Sequence, residues 1–212
     1  MVHWEAVDTH GGEDIEIYNI KGRGNAIGAE VTYDATDDIA PRNVTVRRCE
    51  FDAGGNTKHQ TAIEINGSAT SPAVDCSIED CESRGYGLAG ASEYGAFRVQ
   101  NAIRPVVRRI KAFDSVEAGL VLLGKVTEFK GEDVHVERLT GRSGMVAAVK
   151  VPYGKVDGTL DGVSGDAGLF AGVRAASPQA LDVQNCTILT KGTRFSPDPK
   201  YFRRARDRSE RE

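Results

Sequence analysis

The sequence predicts an all-β chain, a single-domain parallel β-helix (solenoid) of about seven rungs, and three observations predict it. First, one motif recurs through almost the whole chain: apolar-x-apolar-x-x-apolar, then polar residues and a glycine. Self-similarity at a period of roughly 20–50 residues is the mark of a solenoid. Second, the copies alternate with period two, and long three-four periodicity is almost absent. Third, glycine makes up 24 of 212 residues, against a usual share of about 7%. That excess suits a fold with several bends per turn, many of them at positive φ.

The copies follow in order. They are Ile15-Ile17-Ile20 before Gly22 and Gly24, Val44-Val46-Cys49 before Gly54, and Cys76-Ile78-Cys81 before Gly85. Then come Ile110-Phe113 before Gly119, Val134-Val136-Leu139 before Gly144, Leu160-Val163 before Gly168, and Leu181-Val183-Cys186 before Gly192. The third slots (Ile20, Cys49, Cys81, Phe113, Leu139, Val163 and Cys186) are expected to stack as one buried column. Each such side chain contributes roughly 1.5–3 kcal/mol on burial, before entropy is subtracted.

A second strand follows each bend, at 26–33, 61–66, 95–100, 119–124, 144–151 and 168–173. Alternation turns Ile63, Ile65, Phe97, Val99, Leu120 and Leu122 inward, and Glu64 and Arg98 outward. Residues 2–7 read as another such strand, equivalent to 26–31 one turn later. No capping helix precedes it. An uncovered solenoid end exposes unpaired backbone, so the uncapped N-terminal end is expected to be covered by another chain or by an upstream segment. The solenoid is expected over 1–195 and a charged tail over 196–212. Tyr201 and Phe202 would anchor that tail if it docks on the last rung.

Composition narrows the partners. Net charge is −4, which argues against nucleic acid, because phosphate binding needs a basic face. No apolar run approaches the roughly 18 residues of a membrane span. The start carries no secretory pattern, since His3, Trp4 and Glu5 interrupt it. Cys49, Cys76, Cys81 and Cys186 fall in apolar slots and read as buried reduced thiols. Cys49 and Cys81 share a slot in neighbouring rungs, so a bridge between them is the competing reading.

The most specific local cluster is Asp8-Thr9-His10-Gly11-Gly12. Alternation puts Asp8 and His10 on the same side, facing one ligand. The longer bends at 53–60 and 84–94 are expected to lie side by side as a wall, and they carry Lys58, His59, Tyr86, Glu93 and Tyr94. Asp34, Asp37 and Asp38 are a candidate Ca²⁺ site through hard oxygen ligands; a solvated acidic loop is the plainer reading. No other cofactor or metal is indicated. A carboxylate, an imidazole and an ammonium along a groove suit sugar chemistry. Lys58 would neutralise a uronate carboxylate, which acidifies the adjacent ring proton for removal by His10. The bland alternatives are a turn stabilised by Asp8 and His10, and a polar loop tip at Lys58-His59.

In the coil from Asp8 to Tyr33 and at Lys58-His59 on the next long loop, the chain resembles the mannuronan (alginate) epimerases and related polysaccharide lyases of the right-handed parallel β-helix (pectate-lyase-like) superfamily. Those carry Asp-Pro-His at a turn followed by a strand ending in Asn; here stand Asp8-Thr9-His10 and Ile15-Glu16-Ile17-Tyr18-Asn19. The resemblance implies that His10 and a tyrosine act as acid and base. It also implies that Asp8 and Lys58 hold the uronate, with His59 matching the second member of the family's Arg-His pair; Asp34, His59, Tyr86, Glu93 and Tyr94, on the surrounding loops, are the expected substrate-binding residues. The sequence departs from that family in two places: Glu5 stands where its tyrosine is expected, and Lys58 replaces an arginine. Tyr86 and Tyr94 are the candidates to supply the missing hydroxyl. The Asp8–Gly12 turn and the trim later rungs also resemble viral tailspike and tail-associated β-helix proteins. That resemblance implies an extracellular or virion-surface location and a homo-oligomer, many relatives being trimers.

Three functions are therefore carried forward. The chain is expected to be a polysaccharide-recognising module of a virion tail or cell-surface assembly. The alternatives are a lyase or epimerase acting on uronate-containing glycans, and a purely structural spacer.

Overall fold

The computed structural model describes residues 5–54, 60–91, 93–140, 146–168, 171–176, 179–185 and 187–190. Those residues are all-β, with no helix among them, in one curled sheet of eighteen parallel strands. The chain passes through three ladders in turn and returns to the first, one strand further along. The first ladder stacks Glu5–His10, Ile27–Thr32, Thr61–Asn66, Phe97–Ile103, the start of Ala118–Glu137, Ala147–Val151 and Ala171–Ala175. The second begins with Glu16–Tyr18, Thr45–Arg47 and Ser77–Glu79, and the third with Lys21–Arg23, Glu50–Asp52 and Glu82–Arg84. Both continue through Val106–Phe113, Ala118–Glu137 and Gly154–Gly168.

The core is the space these ladders enclose. In the second ladder Ile17, Val46, Ile78, Val107, Gly131, Leu160 and Val183 stand in one register column. Gly131 leaves its place to the ring of Phe129, which would lie 2.8 Å from a Cβ there. Ile63, Ile65, Phe97, Val99, Leu120 and Leu122 are all fully buried, as alternation predicts.

The column through Cys81 takes a different course from the expected one. Ile20 O accepts from Glu50 N, Cys49 O from Glu82 N, and Cys81 O from Lys111 N, which carries the column from Ile20 through Cys49 and Cys81 to Ile110. Ile110 then pairs with Val134, and Val134 with Val163. Ile110 and Val134 therefore hold the slots that the sequence assigns to Phe113 and Leu139; Cys186 lies outside the described residues. The slip has a physical origin. Gly131 removes the apolar residue that would mark the second slot of its copy, and Phe113 offers a false third slot. Phe113 instead faces out, between the guanidiniums of Arg84 and Arg138 at 5.2 and 5.7 Å from its ring centroid.

The first strand is also shifted. Glu5 pairs with Ile27 and Val7 with Ala29, two residues away from the expected alignment. A slip of two preserves which side chains face out. Asp8 and His10 consequently belong to the strand, and the bend falls at Gly11 and Gly12, with φ of 68° and 96°.

The bends between ladders rest on single residues in the left-handed region, most of them not glycine. Between the second and third ladders these are Asn19, Arg48, Asp80, Arg109, Asp133, Gly162 and Asn185, all at positive φ. Asn19 and Asn185 are turn residues, with φ of 57° and 49°. The described cysteines, Cys49, Cys76 and Cys81, are buried free thiols. Burial pushes the Cys76 thiol up to about 11. No helix of the described residues is long and apolar enough to cross a membrane.

Candidate functional site

The outward face of the first ladder carries two polar rows. Strand register stacks Asp8, Glu30, Glu64 and Arg98 in one, and His10, Thr32, Asn66 and Gln100 in the next. Neighbouring members of a row are about 4.8 Å apart, the spacing of adjacent strands. Both rows exist because period-two alternation turns every second side chain outward. Beyond Arg98 the first row continues with Val121, Lys150 and Arg174. The row is thus acidic at one end and basic at the other.

Ion pairs and burial shape its chemistry. Arg98 Nη1 donates to Glu64 Oε2 at 3.2 Å, and its Nη2 donates to Gln100 Oε1. Glu64 is 2% exposed. Burial raises its carboxyl above the usual range, and Arg98 opposes that rise. Glu30 is half-buried and hydrogen-bonded to Glu64. Burial first, then Glu64, Asp8 and Glu5, pushes its carboxyl up to about 7. This pair takes up a proton near neutrality, which sets it apart from ordinary surface carboxylates.

Residues 85–91 and 93–95 fold over the basic end. The Tyr94 ring lies 5.4 Å from the Arg98 guanidinium carbon, a cation–π contact. Gly90 N donates to Glu117 Oε1 at 2.7 Å, and Lys150 Nζ donates to Glu117 Oε2 at 3.3 Å. Ala118, Val121 and Leu123 form a small apolar cluster of their own there. Glu93 is exposed and hydrogen-bonded to Tyr153.

On the opposite flank, residues 33–42 make a second wall. Asp34 Oδ1 accepts from Thr36 N at 2.7 Å and from Asp37 N at 3.3 Å. Those N–H groups hold the Asp34 carboxyl below its usual range, helped by nearby His10. Asp38 Oδ1 accepts from the Tyr33 hydroxyl at 2.7 Å and from the Ser71 hydroxyl at 2.8 Å. Asp34 and Asp38 thus act as turn acceptors. Among the described residues no group of three or more His, Cys, Asp or Glu side chains is disposed to hold a metal ion.

The residues expected from sequence fall into four groups. Asp8 and His10 come together, with Oδ2 2.6 Å from Nε2, and Asp34 lies close to them. Tyr94 and Glu93 stand at the far wall. Tyr86 is fully buried in the core and does not face the trough; burial raises its hydroxyl. Lys58 and His59 lie outside the described residues. Glu30, Glu64 and Arg98 were not among the expected site residues. Their signal was the register itself, since offsets of 22, 34 and 34 residues align them with Asp8.

No protein-family model and no curated protein matches the chain.

Proposed function

We propose that the chain is a right-handed parallel β-helix whose first ladder binds polysaccharide, as a recognition module of an extracellular or virion-surface assembly. The handedness follows the general rule for parallel crossovers. One observation carries the reading: two rows of hydrogen-bonding side chains run in register over four strands, between loop walls. An extended glycan presents repeating hydroxyls to such a trough, and Tyr94 over Arg98 offers a ring face for a sugar to lie against. Asp8, Glu30 and Glu64 repel a uronate at their end, so a neutral or amino sugar is favoured there.

The test is a glycan array followed by titration calorimetry. Saturable binding to a neutral or amino-sugar polysaccharide, weakened at least tenfold in Gln100→Ala, is expected. Absence of saturable binding to every polysaccharide on the array would overturn the reading.

The lyase or epimerase reading keeps one favourable observation, the Asp8–His10 contact, which orients the imidazole as a base. Against it stand the acidic surroundings and the burial of Tyr86, a candidate for the missing hydroxyl, in the core. Uronate polymer cleaved or epimerised by wild type but not by His10→Ala would establish it. Equal activity in both proteins, or none in either, would end it.

A further inference from the structure

On the outward face of the third ladder, register stacks Lys21, Glu50, Glu82, Lys111, His135 and Ser164 in one row. All six line a groove of about 840 Å³. At its far end three residues form a chain of hydrogen-bond contacts. Ser164 Oγ lies 3.1 Å from His135 Nδ1, and His135 Nε2 lies 2.9 Å from Glu137 Oε1. A carboxylate only accepts. Nε2 therefore carries the ring proton, and the Nδ1 lone pair faces the Ser164 hydroxyl.

Glu137 is itself fixed. Its Oε2 accepts from Arg138 Nη1 at 3.0 Å, while Arg138 Nε and Nη2 clamp Asp114 at 2.6 and 3.1 Å. Phe113 meets the His135 ring edge-on, with centroids 6.1 Å apart. Together these contacts hold the imidazole in one tautomer and one orientation. His135 and Glu137 keep about a third of their side-chain surface exposed, at 33% and 34%, so the chain of groups is open to a ligand.

We propose that Ser164, His135 and Glu137 form an acyl-transfer centre for short-chain carboxylic esters, independent of the glycan trough on the first ladder. A hydroxyl, a base within hydrogen-bond reach and a third group orienting the base are what nucleophilic catalysis needs. The two ring nitrogens exchange roles relative to the serine proteases, which leaves the proton transfer unchanged. Among the described residues, charged and polar side chains make up most of the groove's lining, with Ile110 and Cys81 the apolar ones. It suits a short acyl group on a polar alcohol.

Ser164 Oγ bonds to the ester carbonyl carbon as its proton passes to His135 Nδ1. The carbonyl–alkoxy bond then breaks, and the alcohol leaves with that proton. Water repeats the sequence on the acyl-serine, releasing the carboxylic acid and restoring Ser164. Lys111, one strand from His135, lines the same groove and makes no ion pair among the described residues. It places positive charge near the developing oxyanion. Glu137 is a positioning residue.

The full chain is assayed with p-nitrophenyl acetate and with a fluorophosphonate probe read by peptide mass mapping. Expected are labelling at Ser164 that vanishes in Ser164→Ala, and ester hydrolysis at least about a hundredfold slower in His135→Ala. Glu137→Ala is expected to cut kcat with an unchanged unfolding midpoint, and Glu137→Asp to restore part of it. Wild type left unlabelled, labelled at another residue, or hydrolysing ester no faster than Ser164→Ala would overturn the centre. A full kcat in Glu137→Ala would overturn the positioning role.

Discussion

The carboxyl pair on the first ladder makes a prediction that stability measurements can decide. Glu30 ordinarily titrates near 4.5 and is held up to about 7 in the folded chain, by burial and by Glu64, Asp8 and Glu5 around it. The folded state then binds more protons than the unfolded state between those pH values. Stability must therefore fall as pH rises from about 4.5 to about 7. A displacement of this size corresponds to about 3.4 kcal/mol at 1.36 kcal/mol per pH unit. Glu30 is half-exposed, and solvent screening brings the expected effect to about 1–2 kcal/mol. Glu30→Gln keeps the shape and the hydrogen bonding of the protonated acid and cannot ionise. Urea unfolding followed by circular dichroism, from pH 4.5 to 8, is the assay. The variant should match wild type at pH 4.5 and exceed it by about 1–2 kcal/mol at pH 7.5. The carboxyls of Asp75, Asp80 and Asp114 are held below 3.8 by arginine partners. Their stabilisation is lost only as pH falls below that value, so they do not enter this window. Parallel pH curves for the two proteins would refute the shared-proton pair.

Three further outcomes test the packing. Ser83 is fully buried, and its hydroxyl has no hydrogen-bond partner; Ser83→Ala should be neutral or stabilise by about 1 kcal/mol in denaturant unfolding. A Cβ at Gly28 would lie 2.4 Å from both the Phe51 ring and the Ala62 carbonyl oxygen, so Gly28→Ala should destabilise by about 1–3 kcal/mol. Glu128 bends the chain at φ 55°; Glu128→Gly should exceed Glu128→Ile in stability by at least about 1 kcal/mol, since a β-branched residue resists that conformation.

The bends show where a composition argument stops short. Abundant glycine pointed correctly to many turns at positive φ, but Asp, Asn and Arg occupy half of the left-handed positions among the described residues. Stacking explains part of this choice. In the bend between second and third ladders, Arg48, Asp80, Arg109 and Asp133 follow one another with alternating charge. Arg109 clamps Asp80 through Nε and Nη2 at 2.6 and 2.8 Å. In the bend between first and second ladders, Arg104 clamps Asp75 in the same way, with both contacts at 2.7 Å. A glycine would relieve the backbone but could not join a charge ladder between turns. Exposed pairs of this kind stabilise weakly one by one. Their use here is registration: a turn slipped by one strand would set like charges against each other.

That registration explains what the sequence disclosed and what it concealed. The inward positions of the first ladder were legible because six alternating residues carry the signal redundantly. Ile110 and Val134 were not, because one glycine and one outward phenylalanine reverse the local hydrophobic pattern, and only the hydrogen-bonded register corrects it. The functional side chains were harder for the same reason. Asp8 and His10 are two residues apart, so alternation alone joined them. Glu30 and Glu64 are 34 residues apart, as are Glu64 and Arg98, and His135 and Ser164 are 29 apart, in a chain whose turns differ in length. A lateral contact in a stacked sheet is one turn away in sequence, and an error of a single residue in that turn sends the side chain to the opposite face. The candidate sites are therefore made of neighbours that no local motif can contain.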